Sequence, residues 1–185
     1  MSPIRIVGFS GSTRRPSRTR SLVEAVALEI GARRPIDLDV FDLTDAGAGI
    51  GAFSRQELPP QAAAIVEAIE TADALIVGSP VYKGSYTGLF KHVLDFVDPL
   101  ALAGKPVVLT ATGGGHRHAL VVEHQLRPLF GFFSAQTVPT AIYASDGDFR
   151  DGIVVDPAVL ARVAAAASEF DQLAFGAAQP IARVA

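Results

Sequence analysis

Residues 4–22 read IRIVGFSGSTRRPSRTRSL. Ile4, Ile6, Val7 and Phe9 have the apolar density of a buried strand, and a helical pattern begins near Arg20. Between them lies a loop crowded with hydroxyls (Ser10, Ser12, Thr13, Ser17, Thr19, Ser21) and guanidinium groups (Arg14, Arg15, Arg18, Arg20). Gly8 and Gly11 are expected to let the backbone approach a ligand closely. No Asp or Glu occurs from Met1 through Val23, so nothing within the segment repels an anion. Hydroxyl donors and fixed cations at this density predict a phosphate site.

Working outward, strand-like and helix-like segments alternate. After a first helix from about Arg20 to Gly31, Ile36 to Phe41 alternates apolar and acidic residues as a half-exposed strand does. Thr44 to Pro60 carries Gly47, Gly49, Gly51 and a Pro pair, which predicts a long mobile loop. A second helix is expected over Pro60 to Thr71, then a buried strand ALIVG, Ala74 to Gly78. The polar loop SPVYKGSYTG, Ser79 to Gly88, leads into a helix from Thr87 to about Val97. The strand KPVVLTA, Lys105 to Ala111, meets the triple glycine Gly113 to Gly115. A long helix from about His118 to Phe133, a strand from Thr137 to Tyr143 and an Ala-rich helix from Asp156 to about Phe175 follow. Residues 1–176 thus read as one domain, with 177–185 as a frayed tail.

Strands apolar on both faces and spaced by helices predict an α/β three-layer sandwich with a five-stranded parallel sheet. In the flavodoxin-like order 2-1-3-4-5, a ligand sits beyond the C-terminal ends of strands one and three. The two loops richest in Gly and polar residues follow those strands.

Composition narrows the chemistry. The 185 residues, 49% of them apolar, suffice for a single ordinary core. With no Cys, disulfides, thiolate metal sites and the cysteine-dependent phosphatases, which also use an Arg-bearing phosphate loop, are excluded. A net charge of −3 argues against a nucleic-acid surface. No leader and no apolar run of membrane-spanning length is read, so a soluble cytoplasmic protein is expected. A P-loop is excluded because neither loop glycine is followed by Lys, and a Rossmann fingerprint because Gly8 and Gly11 do not make GxGxxG. What remains is a mononucleotide-type phosphate held mainly by side chains.

The set GSTRRPSRTRSL, SPVYKGSYTGLFKHVLD and ATGGG, at these separations, resembles the NAD(P)H-dependent FMN reductases. The likeness is greatest to the reductase components of two-component alkanesulfonate and methanesulfonate monooxygenase systems, over about Ile4 to Phe175. It implies that Ser10, Ser12, Arg14, Ser17, Arg18, Thr19 and Arg20 or Ser21 hold the FMN phosphate. Pro80, Val81, Tyr82, Lys83, Gly84 and Ser85 would line the flavin ring, and Thr112, Gly113, Gly114 and Gly115 would close on its pyrimidine edge. Hydride transfer from NADH or NADPH to flavin needs stacked rings and donors at that edge, with no essential acid, base or nucleophile. Tyr82, Lys83, Gly84 and His116 would form the ring environment, though Tyr82 and Tyr86 also read as ordinary surface tyrosines.

His118 and His124 are six residues apart, so a helix sets them about 120° from each other and no metal site is expected. His92 reads as a packing or surface residue. Pro128 cannot donate to the carbonyl of His124, so the helix is expected to be interrupted there. In the alkanesulfonate-type reductases an inserted Tyr occupies a wide π-type turn at the subunit interface, and the resemblance places His124 at that position. It further implies a homodimer or homotetramer through this helix. The main reading is an NAD(P)H:FMN oxidoreductase supplying FMNH2 to a flavin-dependent, sulfonate-class monooxygenase. The alternatives are an FMN-bound reductase of quinones, azo compounds or metal oxyanions, and a flavodoxin-like electron carrier.

Overall fold

A computed structural model describes residues 3–176, so the expected tail at 177–185 lies outside the described residues. The opening run forms β1 (Ile4–Ser10), buried from Ile6 onward. It lies between β2 (Ile36–Asp42) and β3 (Ala74–Pro80), both parallel to it, with Ile6 opposite Leu38 on one side and Ala74 on the other. β4 (Pro106–Gly113) continues the sheet beyond β3.

The fifth position is held by two short strands and not by one. β5 (Gln136–Thr137) pairs with Pro106 and Val107, and β6 (Ile142–Ser145) pairs with Thr110 through Gly113. Pro139 lies between them and has no N–H for a ladder. Side chains serve the freed groups: Arg127 donates to the carbonyls of Val138 (2.9 Å) and Pro139 (3.0 Å), and Glu169 accepts the Thr140 N–H at 2.6 Å. The overall order is β2-β1-β3-β4-β5, the flavodoxin-like order expected.

Helices cover both faces because the central strands β1, β3 and β4 are apolar on both, while the edge strand β2 stays half exposed. On one side α1 (Arg18–Gly31) and the long C-terminal helix Pro157–Phe175 bury Leu22, Val26, Val163 and Phe170 against Ile6, Ile76 and Val108. On the other side, Ile65, Phe90 and Phe130 pack on Val7, Phe9 and Leu109. These three come from the helices Pro60–Thr71, Gly88–Leu94 and Arg127–Phe132. Gly8 and Gly11 serve this packing. A Cβ on Gly8 would come within 2.9 Å of Val23, and one on Gly11 within 2.8 Å of Phe90.

Two expected elements differ in form. The segment 44–60 is not one open loop. Asp42 caps a short helix, α2 (Leu43–Ala46), and 3₁₀ turns follow at Ala48–Gly51 and Arg55–Glu57, with Leu43, Ala46 and Ile50 buried. The expected long helix from His118 is divided into a 3₁₀ turn at His116–His118, a π turn at Val122–Leu126 and the helix Arg127–Phe132. In the π turn the Arg127 N–H donates to the Val122 carbonyl, five residues back. The interruption anticipated from Pro128 takes this form, with His124 inside it and exposed. Among the described residues, no helix is long and apolar enough to cross a membrane.

Candidate functional site

Three loops meet beyond the C-terminal ends of β1, β3 and β4, and hydrogen bonds lock them together. The Gly11 N–H donates to Gly78 O (2.7 Å), the Val81 N–H to Thr112 O (2.7 Å), and Thr87 Oγ1 to Gly11 O (3.1 Å). Thr19 and Thr112 join the start of α1 to the end of β4 through their hydroxyls at 2.6 Å, both buried. These contacts fix the walls of a cleft of about 680 Å³. Ser12, Arg14, Ser17, Arg18 and Thr19 line it from the first loop, Pro80, Val81 and Tyr82 from the second, and Thr112, Gly113 and Gly114 from the third.

Within the first loop the hydroxyls divide by task. Ser17 caps α1, its Oγ accepting the Arg20 N–H at 3.2 Å, which orients the first turn of the helix along the cleft. Ser12 Oγ donates to the Arg14 carbonyl at 3.1 Å and shapes the loop. Ser10 is fully buried beneath it, and Ser21 donates back to Ser17 O at 3.1 Å, so neither hydroxyl borders the cleft.

The four arginines divide more sharply. Arg15 Nε and Arg20 Nη1 both donate to Asp42 Oδ2, at 2.7 and 3.1 Å, and Arg15 Nη2 reaches Asp45 at 2.6 Å. Arg20 also binds Glu24 (2.8 Å) and Val40 O (3.1 Å), and it lies outside the cleft lining. Burial pushes the Asp42 carboxyl up, but the bonds from Arg15, Thr44 and Arg20 outweigh that and hold it below the usual aspartate range. Burial likewise opposes the charge on Arg20, and its carboxylate partners raise its pKa nonetheless. Arg18 meets Asp146 at 2.6 Å across the cleft. Arg14 lines the cleft with no side-chain partner among the described residues.

In the second loop, Lys83 (φ 54°) and Gly84 (φ 87°) both lie in the left-handed region, and Tyr82 and Ser85 exchange backbone hydrogen bonds across them. This two-residue turn projects Tyr82 into the cleft wall and leaves Lys83, Gly84 and Ser85 outside the lining. Ser85 instead donates to Gln125 in the π turn at 3.2 Å. Tyr86 packs on Phe90 in the core, and His92 meets Ala52 O (3.0 Å) and the edge of Phe96. In the third loop, Cβ atoms on Gly114 and Gly115 would meet nothing within 4 Å, whereas Gly113 is covered by the Tyr143 hydroxyl. Tyr143 is pushed up by burial and by Asp146 and Asp148, and donates to Gly115 O at 2.5 Å. His116 stands beside this loop, 3.4 Å from Ser145 Oγ, outside the lining.

Arg15, Pro16, Asp146 and Gly152 also line the cleft, and sequence reasoning missed the last two entirely. Asp146 opens a 3₁₀ turn after β6, and Gly152 sits in the hairpin of β7 (Phe149–Arg150) and β8 (Ile153–Val154). Asp151-Gly152 between those short apolar-bearing pairs is a two-residue hairpin signal that would have found it.

Strand order, layering and a polar cleft at the switch point define a flavodoxin-like α/β protein. The family model described as NADPH-dependent FMN reductase matches residues 4–149. An FMN reductase (NADPH) of Pseudomonas aeruginosa is 47% identical over 185 residues, 100% of this chain and 99% of its own. The NADH-dependent FMN reductase SfnF of Pseudomonas fluorescens is 46% identical over 184 residues, 99% of this chain and 98% of its own. The apo structure of an NADH:FMN oxidoreductase, EMOB, superposes with a TM-score of 0.77 at 30% identity, over 96% of this chain and 92% of that one. The chain belongs to the NADPH-dependent FMN reductase family. It is an NAD(P)H-dependent oxidoreductase with FMN as its flavin.

Proposed function

We propose that the protein reduces FMN with NAD(P)H in the cytoplasm and releases the FMNH2 to a separate flavin-dependent monooxygenase of the sulfonate class. The observation that carries this reading is the single cleft at the switch point, cationic at one end and open against glycine backbone at the other. The residues present suit FMN. Arg14 has a guanidinium with no partner among the described residues, the first turn of α1 offers backbone N–H groups to an anion, and the open side of Gly114 leaves room for a flat ring.

Ser12, Arg14, Ser17, Arg18 and Thr19 hold the phosphate in this reading. Arg20, Ser10 and Ser21 support the loop from behind. Pro80, Val81 and Tyr82 give the ring an apolar wall, and the backbone of Thr112 through Gly114 presents donors where negative charge gathers on reduction. When bound, FMN supplies the hydride-accepting ring. The protein's share is to orient two coenzymes and to stabilise that charge.

The sulfonate assignment is supported by the resemblance of the three loops. Self-association through the divided helix is part of the same reading, supported by the exposure of Leu120, His124 and Pro128, spaced four residues apart, and of Phe132 at 68%. Light scattering of the protein against a Leu120→Asp variant tests that surface, and identical masses for the two would remove it.

The reaction is tested by mixing protein, FMN and NADH or NADPH without oxygen, then passing the mixture through an ultrafilter. Bleached flavin in the filtrate is expected. Flavin unchanged by both nucleotides overturns the reading, and bleached flavin retained with the protein overturns the supply role.

A further inference from the structure

The Arg18–Asp146 pair has a character unlike the other contacts of the first loop. Asp42, which binds Arg15 and Arg20, is fully buried, whereas Arg18 and Asp146 expose 50% and 55% of their side chains. Both border the cleft, and Asp146 is the one acid among the lining residues. Its carboxylate occupies Arg18 at 2.6 Å, where the reading above puts a phosphate oxygen. Because both partners are wet, little free energy opposes their separation. A phosphate of nearly two negative charges is a stronger acceptor for the same guanidinium and repels the aspartate.

We propose that Asp146 is an internal competitor for the FMN phosphate, pairing with Arg18 in the free protein and yielding it on binding, so that it weakens FMN binding. This rests on the proposed FMN site. In a protein that hands its flavin on, the returning Asp146 carboxylate takes Arg18 back as the phosphate departs and favours release. Asp146 is the first residue of a 3₁₀ turn, Asp146–Asp148, so the aspartate is carried by a short turn and not by the sheet.

Equilibrium binding of oxidised FMN and of riboflavin, by flavin fluorescence quenching, tests this with the full chain, Asp146→Asn, Arg18→Gln and the double variant. Asp146→Ala repeats the measurement should the Asn variant fail to fold. Asp146→Asn is expected to lower the Kd for FMN about two- to fivefold, the range set by an exposed pair. It should leave riboflavin, which has no phosphate, unchanged, and should lose its effect in the Arg18→Gln background. An FMN Kd that is unchanged or higher overturns the proposal, as does equal tightening for riboflavin or equal tightening without Arg18. Absence of saturable FMN binding to the unaltered protein overturns the FMN site itself, a result distinct from either.

Discussion

Arg15 and Arg20 on one side of the first loop, and Arg14 and Arg18 on the other, are separated by at most a few residues but do different work. The first pair is fastened to Asp42 at the end of β2 and to Asp45 in α2, so that Arg15 borders the cleft with its guanidinium already committed, whereas Arg14 and Arg18 border it outside that clamp. The difference teaches that charge density along a chain does not measure charge available to a ligand. Half of this cluster is a structural clamp that holds the other half in position. The clamp also reaches the backbone, since the Leu43 N–H next to Asp42 donates to Ser12 O at 3.2 Å.

Removing the clamp should produce the largest effect. Asp42→Asn is expected to cost about 3 kcal/mol, at the lower end for breaking a buried pair because both guanidinium groups keep access to water. For a chain of this size that lowers the Tm by roughly 6–12 °C, readable by circular dichroism. A Tm within the error of the unaltered protein would break the comparison.

On the cleft side, Arg14→Ala should change stability by no more than about 0.5 kcal/mol while weakening FMN binding by about 1.5–3 kcal/mol, the value of a charge-assisted phosphate contact. Fluorescence titration checks it. Equal losses of stability for the Arg14 and Asp42 variants would erase the distinction between clamp and site.

Acid should weaken the clamp. Asp42 is held below its ordinary value, so its contribution is complete above the unfolded pKa of about 4 and is lost as pH falls through the lower folded value. Glu70 and Glu123, held down by Arg55 and Arg127, carry the same sign. The Tm is expected to fall from about pH 4 downward, and less steeply in Asp42→Asn. Parallel curves for the two proteins would count against the clamp.

The smallest effect belongs to Arg33→Ala. Arg33 pairs with Glu29 at 3.3 Å beyond the far end of α1, with 36% of its side chain exposed, and the change should alter stability by about 0.5 kcal/mol or less. FMN affinity should not move. A binding loss matching that of Arg14→Ala would refute the phosphate assignment.

Much of the fold was legible because periodicity is local. β1, the helix Pro60–Thr71 and the C-terminal helix fall within a residue or two of expectation. The errors lie where distant groups intervene. The strand expected over Thr137 to Tyr143 splits at Pro139 because Arg127 and Glu169 can serve its unpaired backbone groups. The segment after Asp42 folds into short helical turns because the core accepts Leu43 and Ile50. At the site, the three loops were visible as loops, but Asp146 was not, and Gly152 shows in the sequence only as a hairpin turn, since no spacing links either to the first strand.

The sequence by itself determined the alternation of strands and helices, the parallel sheet, the three polar loops and the resemblance that family comparison bears out. Those follow from apolar periodicity and from glycine and hydroxyl residues acting within a few positions of one another. Only the tertiary structure decided which arginines are tied to carboxylates and which guanidinium is left over on the cleft. Asp42, Asp45 and Asp146 reach the first loop through strand pairing and chain return, and neutralisation between charges depends on their separation in space, whatever their separation along the chain.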